Sequence, residues 1–121
     1  MSLFNMDYNT IYRLHSGQES FFKIDCDALS DEDIRALALL IADRVAFSEV
    51  VGVPRGGLRL AEALECFAIP MNEPVLLIVD DVLTTGGSME AWRAGRDAIG
   101  FVIFARGDCP SWVKALFTLA T

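Results

Sequence analysis

The chain alternates between stretches with a helical hydrophobic period and short, unbroken apolar runs. From Ser30 onward, Ile34, Leu37, Ala38, Ile41 and Val45 recur at three- and four-residue spacing, which predicts a core-facing helix to about Phe47. Ser30 and Asp33 have capping-box spacing with Asp in place of Glu, and Asp31 and Glu32 suit the positive end of the helix dipole. Residues 50–53 form a buried strand, broken by Pro54-Arg55-Gly56-Gly57. Leu58, Leu60, Ala61, Ala63, Leu64 and Phe67 predict a second helix, and residues 68–74, with Pro70 and Pro74, make a short connection. Residues 75–79 are a second buried strand. A third helix is expected from Ser88 to about Ile99, stopped by Gly100, and then a strand over 101–104. A turn at 106–110, a short helix over 111–116 and a last strand over 117–119 complete the reading. Residues 1–29 read as irregular or short-stranded, with a turn at Gly17 and a short strand over 21–24.

Strands alternating with helices imply right-handed crossovers and an α/β fold, its parallel sheet covered by helices on both faces. Ligands bind such sheets beyond the carboxyl ends of the strands. The loops 54–57 and 80–88 fall there and are expected side by side.

Composition narrows the function classes. The 121 residues allow one domain, and 53% hydrophobic with 22% charged residues excludes a disordered chain. No apolar run approaches the roughly 18 residues of a membrane span, so no membrane role is expected. A net charge of −7 argues against nucleic acid, but oriented backbone N–H groups can still hold a small anion. Cys26, Cys66 and Cys109 have neither metal nor disulfide spacing, and no secretory signal is visible, so a cytoplasmic protein is expected. His15 is the only histidine, so the sequence supports neither a histidine-based metal site nor a conventional triad, and no metal site built by the protein is expected.

The chemistry concentrates in residues 75–88, Val-Leu-Leu-Ile-Val-Asp-Asp-Val-Leu-Thr-Thr-Gly-Gly-Ser. Asp80 and Asp81 can accept hydrogen bonds from a pair of sugar hydroxyls. Thr84, Thr85 and Ser88 offer hydroxyls, and Gly86 and Gly87 let the backbone approach an anion. Carboxylates for a diol beside donors for a phosphate describe a sugar phosphate. Neither Gly-x-x-x-x-Gly-Lys-[Ser/Thr] nor Gly-x-Gly-x-x-Gly is present.

Residues 75–88 resemble the phosphoribosyl-pyrophosphate (PRPP) signature of the type I phosphoribosyltransferases: an apolar strand, Asp-Asp, then Thr-x-Gly-x-Ser. The resemblance implies that Asp80 and Asp81 face the ribose hydroxyls and that Thr84, Thr85, Gly86, Gly87 and Ser88 cradle the 5′-phosphate. Pro54, Arg55, Gly56 and Gly57 resemble the family's pyrophosphate loop, which often contains a non-proline cis peptide. Within the family the N-terminal part is most similar to orotate phosphoribosyltransferase. Leu14-His15-Ser16-Gly17-Gln18-Glu19-Ser20-Phe21-Phe22 is similar to its Lys-Ser-Gly-x-x-Ser segment with following aromatics, and Ala105-Arg106 to its Asp-Arg. His15, Phe21, Phe22 and Arg106 are thereby implied at the base. The resemblance also implies a single domain, with 1–29 as a minimal N-terminal hood on an α/β core over 30–121, Mg2+ carried mainly by PRPP, and a homodimer.

Two departures stand out. His15 occupies the place of a family lysine. The long, charged, mobile loop that precedes the PRPP strand in complete members is missing, since residues 68–74 contain no lysine or arginine. The implied activity is transfer of ribose 5-phosphate from PRPP to orotate or another pyrimidine with release of pyrophosphate. A non-catalytic PRPP- or nucleotide-binding accessory protein is the alternative.

Overall fold

The computed structural model describes residues 4–6, 12–13, 19–20, 22–24, 28–83 and 87–119. They belong to two units, 1–31 and 32–121. In the first, β1 (Phe4–Met6) pairs antiparallel with β4 (Phe22–Ile24), and β2 (Tyr12–Arg13) with β3 (Glu19–Ser20). Gly17 lies outside the described residues.

The remaining elements are α1 (Asp31–Arg44), β5 (Glu49–Gly52), α2 (Leu58–Leu64) with a 3-10 turn over Glu65–Phe67, β6 (Leu76–Leu83), α3 (Gly87–Arg93), β7 (Ile99–Arg106) and β8 (Val113–Leu119). The four strands are parallel, in the order β5-β6-β7-β8. The α/β class is as expected.

Side-chain alternation divides the sheet between two layers. On one face, Gly52, Val79 and Phe101 are neighbours in register, and a methyl built on Gly52 would come within 2.9 Å of Ala61 Cβ of α2. On the other, Ile78, Val102 and Val113 share a cluster with Met89 of α3. Helix α1 buries Ile34, Ala38 and Ile41 but ends at Arg44, three residues before the expected end at Phe47. Phe47 is still buried, and its carbonyl accepts the Ile69 N–H at 3.0 Å.

Three expectations are corrected. The third helix stops at Arg93 because Ala94 (φ 51°) and Gly95 (φ 75°) take left-handed conformations that end it. Gly100 is therefore no helix stop but a residue of β7. A methyl there would meet Trp112 and Val113 at 2.9 Å and Met89 at 3.1 Å, so the glycine lets these side chains pack onto the strand. The second apolar strand is longer than expected, running through Asp80 and Asp81 to Leu83, because β7 continues beside it with Val82 opposite Phe104 and Leu83 opposite Ala105. The short helix over 111–116 is absent, and Val113 already opens β8. Residues 107–112 must return from Arg106 to the level of Gly100, which pairs with Val113, a path of about 20 Å at roughly 3.3 Å per strand residue. At about 1.5 Å per residue, a helix could not cover it. The connection therefore crosses the sheet as irregular chain, and Cys109 and Trp112 pack against the α3-side cluster.

The core makes a graded prediction. Ile78→Ala, at a fully buried position, should cost about 2–5 kcal/mol in urea unfolding. Leu39→Ala, at 57% exposure on α1, should stay within about 0.5 kcal/mol. Equal losses would mean that the α/β core is packed differently.

Candidate functional site

The site is built where β5 stops and β6 goes on. The last β5–β6 register pair is Gly52 with Val79, and the Val53 N–H donates to the Val79 carbonyl at 2.8 Å. The chain then turns through residues 54–57, where the Pro54–Arg55 peptide is cis. Gly57 N–H donates to the Val53 carbonyl at 2.8 Å, and the Gly57 carbonyl receives Ala61 N–H at 2.9 Å, so α2 starts directly from the turn. A methyl on Gly57 would overlap the backbone of Val79 and Val53, and one on Gly52 would overlap the Gly57 carbonyl. Gly52 did not stand out in the sequence reading. A glycine inside an apolar strand is nonetheless a signal for close backbone approach.

Beyond Val79 no register pair joins β6 to β5, which leaves the Asp81 N–H on that side without a strand partner. The acidic side chains take over. Asp81 N–H donates to Asp80 Oδ1 at 2.8 Å, and Val82 N–H to Asp81 Oδ1 at 2.7 Å. Pairing with β7 keeps one register across them, from Asp80–Val102 to Val82–Phe104. Asp80 and Asp81 are therefore fixed within the strand rather than hanging from a loop after it.

Of the two segments expected side by side, one contact is described, between the 54–57 turn and Asp81 of β6. The Asp81 carboxylate lies against Gly56, where a methyl would overlap both its oxygens. Arg55 is exposed beside this contact. Among the described residues, no cation forms an ion pair with Asp80 or Asp81. Burial raises the Asp80 carboxyl from 3.8 to about 7, aided by the Asp81 carboxyl's hydrogen bond and charge and opposed by the Asp81 N–H. The protonated form of Asp80 thus persists up to near-neutral pH.

Of the other candidates, Gly87 and Ser88 are exposed in the first turn of α3, while Thr84, Thr85 and Gly86 lie outside the described residues. Arg106 ends β7, half-buried, at the same carboxyl edge as Leu83. His15 and Phe21 lie outside the described residues, and Phe22 is described only as backbone of β4. The structure therefore brings the acid pair to the 54–57 loop, but it does not connect the base-site candidates to them. Met89 is core and Trp112 half-buried, whereas Trp92 is 43% exposed. Cys66 and Cys109 are free thiols. Among the described residues, no group of three or more His, Cys, Asp or Glu is placed to hold a metal, and no helix is long and apolar enough to cross a membrane.

The fold resembles that of solved structures. The orotate phosphoribosyltransferase of Aeropyrum pernix superposes with a TM-score of 0.70 at 22% identity, over 90% of this chain and 85% of that one. The fold is that of the type I phosphoribosyltransferases. The UMP synthase of Leishmania donovani matches with a TM-score of 0.69 at 18% identity, over 97% of this chain but 34% of that one. The Helicobacter pylori xanthine-guanine-hypoxanthine phosphoribosyltransferase is more distant, with a TM-score of 0.51 at 17% identity over 71% and 88% of the two chains. Neither a protein-family model nor a curated protein matches the sequence.

The acid pair predicts a pH dependence of stability. Because the folded-state pKa of Asp80 is raised, its contribution is fully present below about pH 4 and is lost as the pH rises through about 7. Thermal unfolding of Asp80→Asn should therefore lack a downward step that the wild type shows between about pH 4 and 7. Identical pH profiles for the two proteins would rule out a proton held at Asp80.

Proposed function

We propose that the protein is a phosphoribosyltransferase that moves ribose 5-phosphate from PRPP to orotate or another pyrimidine, releasing pyrophosphate. The observation that carries this reading is the contact between the Asp81 carboxylate and Gly56, because it joins the sugar-diol acceptors to the loop suited to the leaving group. The phosphoribosyltransferase-like fold supports it at the coarser level.

In this reading Asp80 and Asp81 accept hydrogen bonds from the ribose hydroxyls and fix the ring. Residues 84–88 hold the 5′-phosphate, and Arg55 with the backbone of 54–57 takes the departing pyrophosphate. A ring nitrogen of the base attacks C1 as the C1–O bond to pyrophosphate breaks, and positive charge develops on the sugar. The acid pair lies on the sugar side of that charge, so positioning and electrostatic stabilisation supply the catalysis. Mg2+ enters with PRPP and neutralises charge on its pyrophosphate. His15, Phe21, Phe22 and Arg106 are the residues assigned to the base.

A second reading keeps the ligand and drops the reaction: a PRPP- or nucleotide-binding accessory protein. One observation favours it. The connection into β6 is pinned at the amino end of the sheet, with Ile69 N–H on the Phe47 carbonyl at 3.0 Å and Val75 N–H on Ser48 Oγ at 2.9 Å. Asp80 lies five strand residues further on, about 16 Å away at roughly 3.3 Å per residue. Residues 68–75 therefore cannot close over the acid pair.

Pyrophosphate release from Mg-PRPP with a panel of pyrimidine and purine bases separates the readings. Turnover with orotate or another pyrimidine is expected. It should fall by at least roughly 100-fold in Asp80→Asn/Asp81→Asn, the scale on which lost positioning costs rate. Saturable PRPP binding without release for any base would establish the accessory reading. No PRPP affinity in the wild type would overturn both.

A further inference from the structure

Helix α3 has only seven residues, too few to be stable through its own hydrogen bonds, so contacts from outside must hold it. One is Met89, buried in the sheet cluster above Gly100. The other is a surface clamp to the connection between β7 and β8. Trp112 Nε1 donates to Glu90 Oε1 at 2.9 Å. Arg93 grips the same carboxylate, with Nη2 at 2.8 Å from each oxygen and Nε at 3.2 Å from Oε2. The Arg93 guanidinium also lies over the Trp112 ring, 4.4 Å from its centroid. Trp112 is itself anchored, since its carbonyl accepts the Gly100 N–H at 2.8 Å. Three side chains thus close a ring from α3 to the sheet, each touching the other two.

A surface ion pair at i and i+3 alone contributes little to stability. Its value here is geometric. The clamp sits one turn after Gly87 and Ser88, which begin α3. At its far end α3 is capped by Arg96, with Nη2 on the Trp92 carbonyl at 2.6 Å and Nε on the Arg93 carbonyl at 3.0 Å. The helix therefore cannot roll or slide along the sheet without breaking the Trp112–Glu90–Arg93 ring.

We infer that Glu90, Arg93 and Trp112 are positioning residues for the sugar phosphate, setting through α3 where Gly87 and Ser88 meet it. This rests on the proposed assignment of 84–88 to the 5′-phosphate. None of the three touches the ligand. Their effect is confined to ligands that use that loop and leaves the 54–57 loop unaffected.

The test compares two probes, ribose 5-phosphate and Mg-pyrophosphate, by calorimetric titration against wild type, Glu90→Ala and Glu90→Gln. Glu90 is exposed, so both variants should fold, and thermal unfolding checks this. Glu90→Ala should weaken ribose 5-phosphate binding about fivefold or more, the scale of one lost hydrogen bond, and leave Mg-pyrophosphate binding unchanged. Glu90→Gln keeps the acceptor for Trp112 Nε1 and should recover most of the loss. Trp112→Phe keeps the ring under Arg93, loses the N–H, and should resemble Glu90→Ala. Parallel weakening of both probes, or no change for either, would overturn the inference while leaving the proposed function standing. Wild-type protein that binds neither probe would remove both.

Discussion

The ligand end of this sheet depends on β6 continuing from Val79 to Leu83 after its pairing with β5 has ended at Gly52. A strand that outruns one neighbour but not the other has N–H groups that need new partners on one side, because buried backbone donors are almost never left empty. Here the partners are the strand's own carboxylates. Asp80 takes the Asp81 N–H on the open side, and Asp81 takes the Val82 N–H on the opposite edge, which holds two acidic groups at a place where a flexible loop would have let them turn to solvent. The same mismatch leaves room for the 54–57 turn to fold back over Val79, and only glycines at 52, 56 and 57 permit that approach. The acid pair and the backbone turn against it therefore arise from one inequality in strand length.

That arrangement sets an electrostatic condition on any ligand. In a chain of net charge −7, two adjacent carboxylates without a paired cation among the described residues repel, and burial raises Asp80 until it holds a proton near neutrality. A ligand that donates hydrogen bonds to the pair relieves this, and an anion alone makes it worse. A sugar diol that carries its phosphates elsewhere, with its own divalent cation, satisfies the condition. A bare phosphate does not. Chemistry independent of fold thus narrows the ligand toward the class proposed.

Much of this was legible in the sequence because the signals were local. Apolar runs marked β5, β6 and β7, and the Asp-Asp and Gly-Gly punctuation marked the two loops. What the sequence concealed depends on the lengths of neighbours. Asp80 and Asp81 read as residues after a strand, since nothing local says that β7 will carry the ladder on to Leu83. Residues 111–116 read as helix, since nothing local says that a six-residue link must span about 20 Å from Arg106 back to the level of Gly100. Gly100 looked like a helix stop because the requirement it meets, close packing of Met89 and Trp112, comes from residues 11 and 12 positions away. Among the assigned site residues, the acid pair and the 54–57 loop were placed together by the topological rule for parallel sheets. The base-site candidates rested on likeness alone, and the described residues do not join them to that pocket.

The same topology separates binding from turnover. In a parallel sheet, a connection that returns from a helix enters the next strand at the amino end, and the ligand sits at the carboxyl end. The link from α2 to β6 obeys this, tied by Ile69 to Phe47 and by Val75 to Ser48. A cover for the reacting centre would need an insertion long enough to run the length of the strand and fold back, and residues 68–75 are too few at roughly 3.3 Å each. In the proposed reading the residues assigned to the sugar phosphate belong to the strand ends and do not depend on such an insertion, whereas exclusion of water from a developing sugar cation does. On that reading affinity and rate are carried by different parts of the fold, and a short connection into β6 bears on acceleration rather than on recognition.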